Sequence, residues 1–268
     1  MPAPDSDQPI FYFDLGSPEC YLAAETILAG LRRPDGRLGR SWKDSRSSGE
    51  GVLEDYADLA DGLLALYDAT FEERWFTIAR ELADQILDHF GDPAGGFFDT
   101  ADDHETLVTR PKDPQDNATP SGASMATLVL LRLAALTGES RYREAAERAI
   151  TTVTPFLARY PSGFANWLSA AQLAVGGIVE LAIVGDSDDP ATRALVDVAR
   201  SQARQDLVVA IAADPSTSAV PLLAGRVAIG GRPTAYVCRN FACRLPVTDP
   251  KALLDQLDVP PTAAMAPG

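Results

Sequence analysis

A mainly α fold is predicted: a partial α/α toroid of helical hairpins, finished by a small α/β element. Three observations predict it. Apolar residues recur at helical spacing in four long windows between Leu53 and Ala158. The second pair of windows repeats the first at a fixed offset, the signature of a stacked repeat. Beyond Gly176-Gly177 the pattern changes to short apolar runs flanking one amphipathic helix.

The elements follow in order. Ile10-Phe11-Tyr12-Phe13 reads as a short buried strand, and Asp14 to Pro18 as a turn with Ser17 as N-cap of the next helix. Tyr21, Leu22, Ala24, Ile27, Leu28 and Leu31 give that helix an apolar face, ending near Arg33-Pro34-Asp35-Gly36. Arg40 to Gly51 shows no sustained periodicity and is expected to be an ordered loop. Leu53, Tyr56, Ala57, Ala60, Leu63, Leu64 and Tyr67 mark one helix. Trp75, Ile78, Ala79, Leu82 and Ile86 mark the next, which Gly91-Asp92-Pro93 stops.

Shifting by 67 residues (137 − 70) superimposes Thr70 on Thr137, Glu72 on Glu139, Arg74 on Arg141 and Trp75 on Tyr142. Each unit is thus a helical hairpin with a tight turn, followed by a long connection. A lone hairpin cannot bury its apolar face, so such units stack. A third unit is expected from Phe164. The connection from Gly95 to Gly122, dense in carboxylates and cations, then falls at a rim of the stack, where a pocket forms.

In the tail, Ile178 to Val184 and Leu207 to Ile211 read as strands around a helix from Pro190 to Gln205, a small βαβ element. Ala235 to Cys238 and Phe241 to Cys243 read as finishing strands, and Thr248-Asp249-Pro250 caps a last short helix. Cys238 and Cys243 are read as buried structural thiols, with zinc or disulfide pairing the weaker alternatives. The expected divisions are 1–36, 37–175, 176–257 and a disordered end at 258–268.

The net charge of −15 over 268 residues argues against nucleic acid and anionic membrane as partners. No window approaches the roughly 18 apolar residues of a membrane span. Three cysteines without framework spacing favour a reducing compartment, so a cytoplasmic location is expected. Val184-Gly185-Asp186 is not a dinucleotide fingerprint. No cofactor and no metal is expected.

Two resemblances add to this reading. Phe13-Asp14-Leu15-Gly16-Ser17-Pro18-Glu19-Cys20-Tyr21-Leu22-Ala23-Ala24 resembles the opening of DsbA-like thioredoxin-fold proteins, including the 2-hydroxychromene-2-carboxylate isomerases. That resemblance implies glutathione activation at Ser17 and a redox position at Cys20, whose thiolate a helix N-terminus would favour. The match covers one strand and one helix, so the alternative is a remnant of such a fold.

From about Gly36 to Leu257 the chain is similar to the YyaL-like / spermatogenesis-associated protein 20 family of thioredoxin-domain-containing proteins. Gly36-Arg37-Leu38, Arg40-Ser41-Trp42-Lys43-Asp44, Leu53-Glu54-Asp55-Tyr56-Ala57, Gly95-Gly96-Phe97-Phe98-Asp99-Thr100, Asp103-His104-Glu105, Arg110-Pro111-Lys112 and Ala118-Thr119-Pro120-Ser121-Gly122 carry the similarity. The family implies a toroid similar to N-acylglucosamine 2-epimerases and six-hairpin glycosidases. Two departures stand out: the family's own thioredoxin domain and early hairpins are missing, and Ala123 stands where an Asn is usual.

That resemblance implies epimerisation or glycoside cleavage on a small carbohydrate. His104, between Asp103 and Glu105, is the expected acid or base, with a solvated turn histidine as the alternative. His89 is expected to cap a helix C-terminus. Asp99 and Asp116 are a candidate carboxylate pair. Trp42, Asp55, Tyr56, Arg110, Lys112 and Ser121 are candidate substrate-binding residues. The alternatives are an ion network for Arg110 and Lys112 and core packing for Tyr56. A full toroid needs more hairpins than this, so an inactive isolated domain, self-association or a complementing chain is expected. The competing functions are a thiol- or glutathione-dependent enzyme using Ser17 and Cys20, and an α/α scaffold for a protein partner.

Overall fold

A computed structural model of the chain describes residues 18–43, 46–104, 109–201, 204–240 and 242–258, with side chains in the first helix from Glu25 onward. Helix α1 (Pro18–Leu31) leads into an antiparallel hairpin of β1 (Gly39–Lys43) and β2 (Arg46–Glu50). This corrects the loop expected from Arg40 to Gly51. Both strands are polar and almost wholly exposed, so neither carries the one-sided alternation that marks a strand in sequence.

The hairpins follow as α2 (Leu53–Thr70) with α3 (Glu73–His89), and α4 (Gly122–Thr137) with α5 (Ser140–Leu157). The repeat extends to individual hydrogen bonds. In the first turn, Thr70 Oγ1 donates to Leu66 O (2.8 Å) and accepts from Glu72 N (3.2 Å), and Arg74 Nε donates to Glu72 Oε2 (2.9 Å). In the second, Thr137 bonds Leu133 O (2.7 Å) and Glu139 N (3.1 Å), and Arg141 Nε donates to Glu139 Oε2 (2.6 Å). Arg74 stacks on Trp75 and Arg141 on Tyr142, 4.0 and 4.4 Å from the ring centres. Each leading helix ends on a left-handed residue, Phe71 at φ 57° and Gly138 at φ 75°. Glycine adopts that conformation freely, whereas Phe71 is held there with its ring edge-on to Tyr67.

A further helix, α6 (Ala165–Gly176), packs on α4 and α5, and the chain then turns to the α/β element. β3 (Val179–Val184) and β4 (Leu207–Ala212) are parallel, joined through α7 (Pro190–Ser201). β5 (Thr234–Arg239) runs antiparallel to β3, β6 (Ala242–Cys243) follows at the edge, and α8 (Pro250–Leu257) starts from its N-cap, Asp249. The sheet order is β4-β3-β5-β6.

Alternation along the strands splits the apolar residues between two layers. Ala182, Val208 and Ala210 join the hairpin core, while Leu181, Ile183 and Ile211 pack with Leu195 of α7 and Leu253 of α8. The sheet therefore covers α4, which contacts β3 and β4 as well as α2, α5 and α6. Val129, Leu130 and Leu133 of α4 are fully buried.

Cys238 and Cys243 face each other across β5 and β6 and form a disulfide. This corrects the expectation of buried free thiols. Asn240, left-handed at φ 49°, turns the strand back so that two cysteines five residues apart become cross-strand neighbours.

Candidate active site

The connection from α3 to α4 lies at the end of the stack where α2 and α4 begin, as its position between two hairpins requires. α4 starts against the first turn of α2, and a Cβ added at Gly122 would come within 2.7 Å of Glu54 N. Only glycine allows this approach. Beside it opens a cavity of about 250 Å³, lined by Val52, Glu54, Asp99, Asp113, Gln115, Asn117, Thr119, Pro120, Ser121 and Gly122.

Among the described residues, three carboxylates reach this cavity and no basic side chain lines it. Asp99 is half-buried, and its Oδ2 accepts one backbone hydrogen bond, from Asp113 N at 2.9 Å. Burial, followed by the like charges of Asp113 and Glu54, raises its carboxyl above the ordinary aspartate value. Its backbone is pinned on both sides, with Asp99 N donating to Pro111 O and Asp99 O accepting from Leu53 N, each at 2.9 Å. Glu54 stands exposed in the first turn of α2. Glu54 and Asp113 were not among the residues singled out from the sequence. They lie 45 and 14 positions from Asp99, and only the packing of α2 on this loop brings them to one cavity (99 − 54, 113 − 99).

Asp116 lies beneath, 6% exposed, and does not line the cavity. Its Oδ1 accepts from Ser121 N (3.0 Å) and Ser124 Oγ (2.7 Å), and its Oδ2 from Asn166 N (2.9 Å) and Trp167 N (3.4 Å). One carboxylate thus ties the loop to the N-termini of α4 and α6, where helix dipoles favour negative charge. Ser121 caps α4 through Ser124 N (3.2 Å) and donates to Pro114 O (3.2 Å), so its side chain serves both the cap and the cavity wall.

The remaining sequence candidates are placed elsewhere. Tyr56 is fully buried; its hydroxyl accepts from Leu38 N (2.9 Å) and Arg37 Nε (3.1 Å). Asp55 satisfies one free donor at the start of α2 by accepting from Val52 N at 2.8 Å. Trp42 lies on β1, 47% exposed, with its ring against Gly30 of α1. Arg110 donates to the carbonyls of His89 (3.0 Å) and Thr100 and stacks over Phe98 (4.0 Å). Lys112 pairs with Asp92, which lowers the Asp92 carboxyl, and donates to Gly95 O at 3.2 Å. His104 is half-buried in the turn after Ala101 and does not line the cavity. Ser17 lies outside the described residues, and nothing is described of the Cys20 side chain.

His89 closes α3 and its Nδ1 lies 2.9 Å from Asp102 Oδ1. With Asp103 these two form the one group among the described residues whose spacing suits a metal ion. Arg37, however, holds both oxygens of Asp103, at 2.8 and 2.9 Å, and depresses its carboxyl. One carboxylate of the three is thus already engaged by a guanidinium. No helix of the described residues is long and apolar enough to cross a membrane.

With this geometry in hand, the likeness to known proteins is informative. The profile of Glycosyl hydrolase family 47 matches residues 59–187. Spermatogenesis-associated protein 20 of Homo sapiens is 34% identical over 206 residues, covering 75% of this chain and 26% of the relative. Its counterpart in Mus musculus is 32% identical over the same length. An uncharacterized protein of Caenorhabditis elegans is 28% identical over 199 residues, 72% of this chain and 27% of the relative. The chain spans about a quarter of the length of the curated relatives it matches. Its homologues across three quarters of its length are thus spermatogenesis-associated protein 20, and its hairpins form a glycosidase-like domain of the six-hairpin kind.

Proposed function

We propose that this homologue of spermatogenesis-associated protein 20 carries a carbohydrate-active site in the cavity between α2 and α4, with Asp99 as its acid and Glu54 as its base. The observation that carries the reading is Asp99, an aspartate facing a cavity beside two other carboxylates, where burial and those like charges raise its carboxyl above the ordinary aspartate value. A glycosidase needs two carboxyl groups with their affinities for protons pushed apart. Asp99 gives its proton to the leaving glycosidic oxygen, and the exposed carboxylate of Glu54 takes one from the attacking water. Gln115, Asn117 and Thr119 supply amide and hydroxyl groups for sugar hydroxyls. The profile match to a glycosyl hydrolase family supports the reaction class.

A cavity of about 250 Å³ suits one sugar ring better than an extended chain. With no cation in its lining, it favours a neutral sugar over an acidic one. Calorimetric titration with neutral hexoses, N-acetylhexosamines and hexuronic acids tests this, alongside turnover of aryl glycosides. Binding of a neutral sugar that Asp99→Asn and Glu54→Gln both weaken is expected. Flat titrations over the whole panel, or binding indifferent to both substitutions, would overturn the assignment.

A further inference from the structure

We propose that the Cys238–Cys243 disulfide is a thiol–disulfide exchange site, opened by a small dithiol that attacks the Cys243 sulfur while Arg226 holds the departing Cys238 sulfur. The site lies on the β5–β6 edge, apart from the carbohydrate cavity, and stands independently of it.

Three observations carry this. First, the two sulfurs differ in access. β6 is two residues long and exposed, so Cys243 meets solvent, whereas Cys238 is 1% exposed. Attack is therefore directed to one sulfur, and the other must leave. Second, Arg226 Nη2 lies 3.3 Å from Cys238 Sγ and 3.3 Å from Cys243 Sγ. A disulfide sulfur is a weak, neutral acceptor that gives a guanidinium little, whereas a thiolate in the same place gains a charge-assisted partner. Third, the guanidinium is fixed: Nη1 donates to Leu222 O, the ring of Tyr236 lies 5.8 Å away, and Nε is buried without a hydrogen-bond partner. Glu180, 3% exposed and opposite Cys238 on β3, is the other charged neighbour of this guanidinium, and the desolvated cation in direct contact with sulfur is the surrounding that favours a thiolate.

The step balances without any group from elsewhere on the chain. A thiolate of the dithiol attacks Cys243 Sγ, the bond to Cys238 Sγ breaks, and the electron pair leaves on Cys238 as a thiolate paired with Arg226. The second thiol of the reagent, deprotonated, attacks its own sulfur in the mixed disulfide and releases Cys243 as a thiolate. Both cysteines then take protons from water. The dithiol loses two electrons and two protons to become a cyclic disulfide, and the protein gains them.

The test uses the full chain in a Cys20→Ser background, so that only this pair reports. Dithiothreitol is added under native conditions, thiols are trapped by alkylation and counted by mass, and circular dichroism follows the fold. Two thiols are expected to appear together while the fold persists. Arg226→Gln should slow opening about tenfold, and Arg226→Lys should restore part of the rate. A pair that stays closed until the protein unfolds, or that opens equally fast in Arg226→Gln, overturns the proposal. If Arg226→Gln does not fold, Cys243→Ser provides the second readout. Ultraviolet thiolate absorbance of Cys238 should then appear at least about one pH unit below the free-cysteine value near 8.5, and absorbance at or above that value contradicts the role given to Arg226.

Discussion

Asp99 and Asp116 leave the same loop 17 residues apart (116 − 99), yet the fold uses them in opposite ways. Asp116 accepts four hydrogen bonds, two from the start of α4 and two from the start of α6, and is buried. Asp99 accepts one among the described residues, faces a cavity, and has carboxylates for neighbours. A carboxylate whose lone pairs are all filled by donors is a structural joint. A carboxylate short of donors, and pushed toward its protonated form, is stored chemistry. The pair expected from the sequence, Asp99 with Asp116, therefore divides into the proposed acid and the bracket beneath it.

The contrast can be broken in stability first. Asp116→Ala strips four donors of their acceptor at a buried junction and should cost on the order of 3 kcal/mol in urea unfolding. Gly122→Ala forces a Cβ against Glu54 N and should cost about 1–3 kcal/mol while deforming the cavity, which unfolding combined with sugar titration will register. Asp99→Asn keeps an acceptor for Asp113 N and removes a disfavoured charge. It should leave the unfolding midpoint unchanged or higher while abolishing turnover, and a large destabilisation there would erase the distinction.

The smallest effect concerns pH. Asp58 is exposed on α2, so solvent screens the effect; partial desolvation first, then the like charges of Glu54, Asp61 and Asp55, push its carboxyl up to about 6. An acid whose folded pKa is raised binds its proton more tightly when folded, so its favourable share of stability is complete below the unfolded value of 3.8 and is lost as pH rises through about 6. Asp58→Asn should flatten that decline, so wild type and variant coincide near pH 3 and separate by about pH 7. Parallel curves across the range would contradict the shift.

The repeat was legible because its turns are local. Thr, Glu, Arg and an aromatic residue at fixed spacing encode the same hydrogen bonds twice, and a 67-residue shift suffices to find them. The βαβ element was legible for the same reason, since its strands are continuous apolar runs bounded by turns. The site was legible only in part. Asp99, Ser121 and Gly122 stood out in a charged loop, but Glu54 looked like one acid among several at a helix start. The partners of Asp116, Asn166 and Trp167, come from the next hairpin, 50 and 51 residues on. The β1–β2 hairpin was hidden by its polar exposed strands. The disulfide was hidden because a five-residue spacing brings two sulfurs together only if a left-handed Asn240 turns the strand between them.

The most direct test of the contrast is a carboxyl-carbon NMR titration of Asp99 and Asp116 in one sample, with and without a neutral sugar. Asp99 should titrate above its ordinary value and shift when sugar is added, while Asp116 responds to neither the sugar nor the substitution Glu54→Gln. Asp99 titrating at or below the ordinary aspartate value, with no response to any sugar, would contradict the assignment of this cavity as the active site.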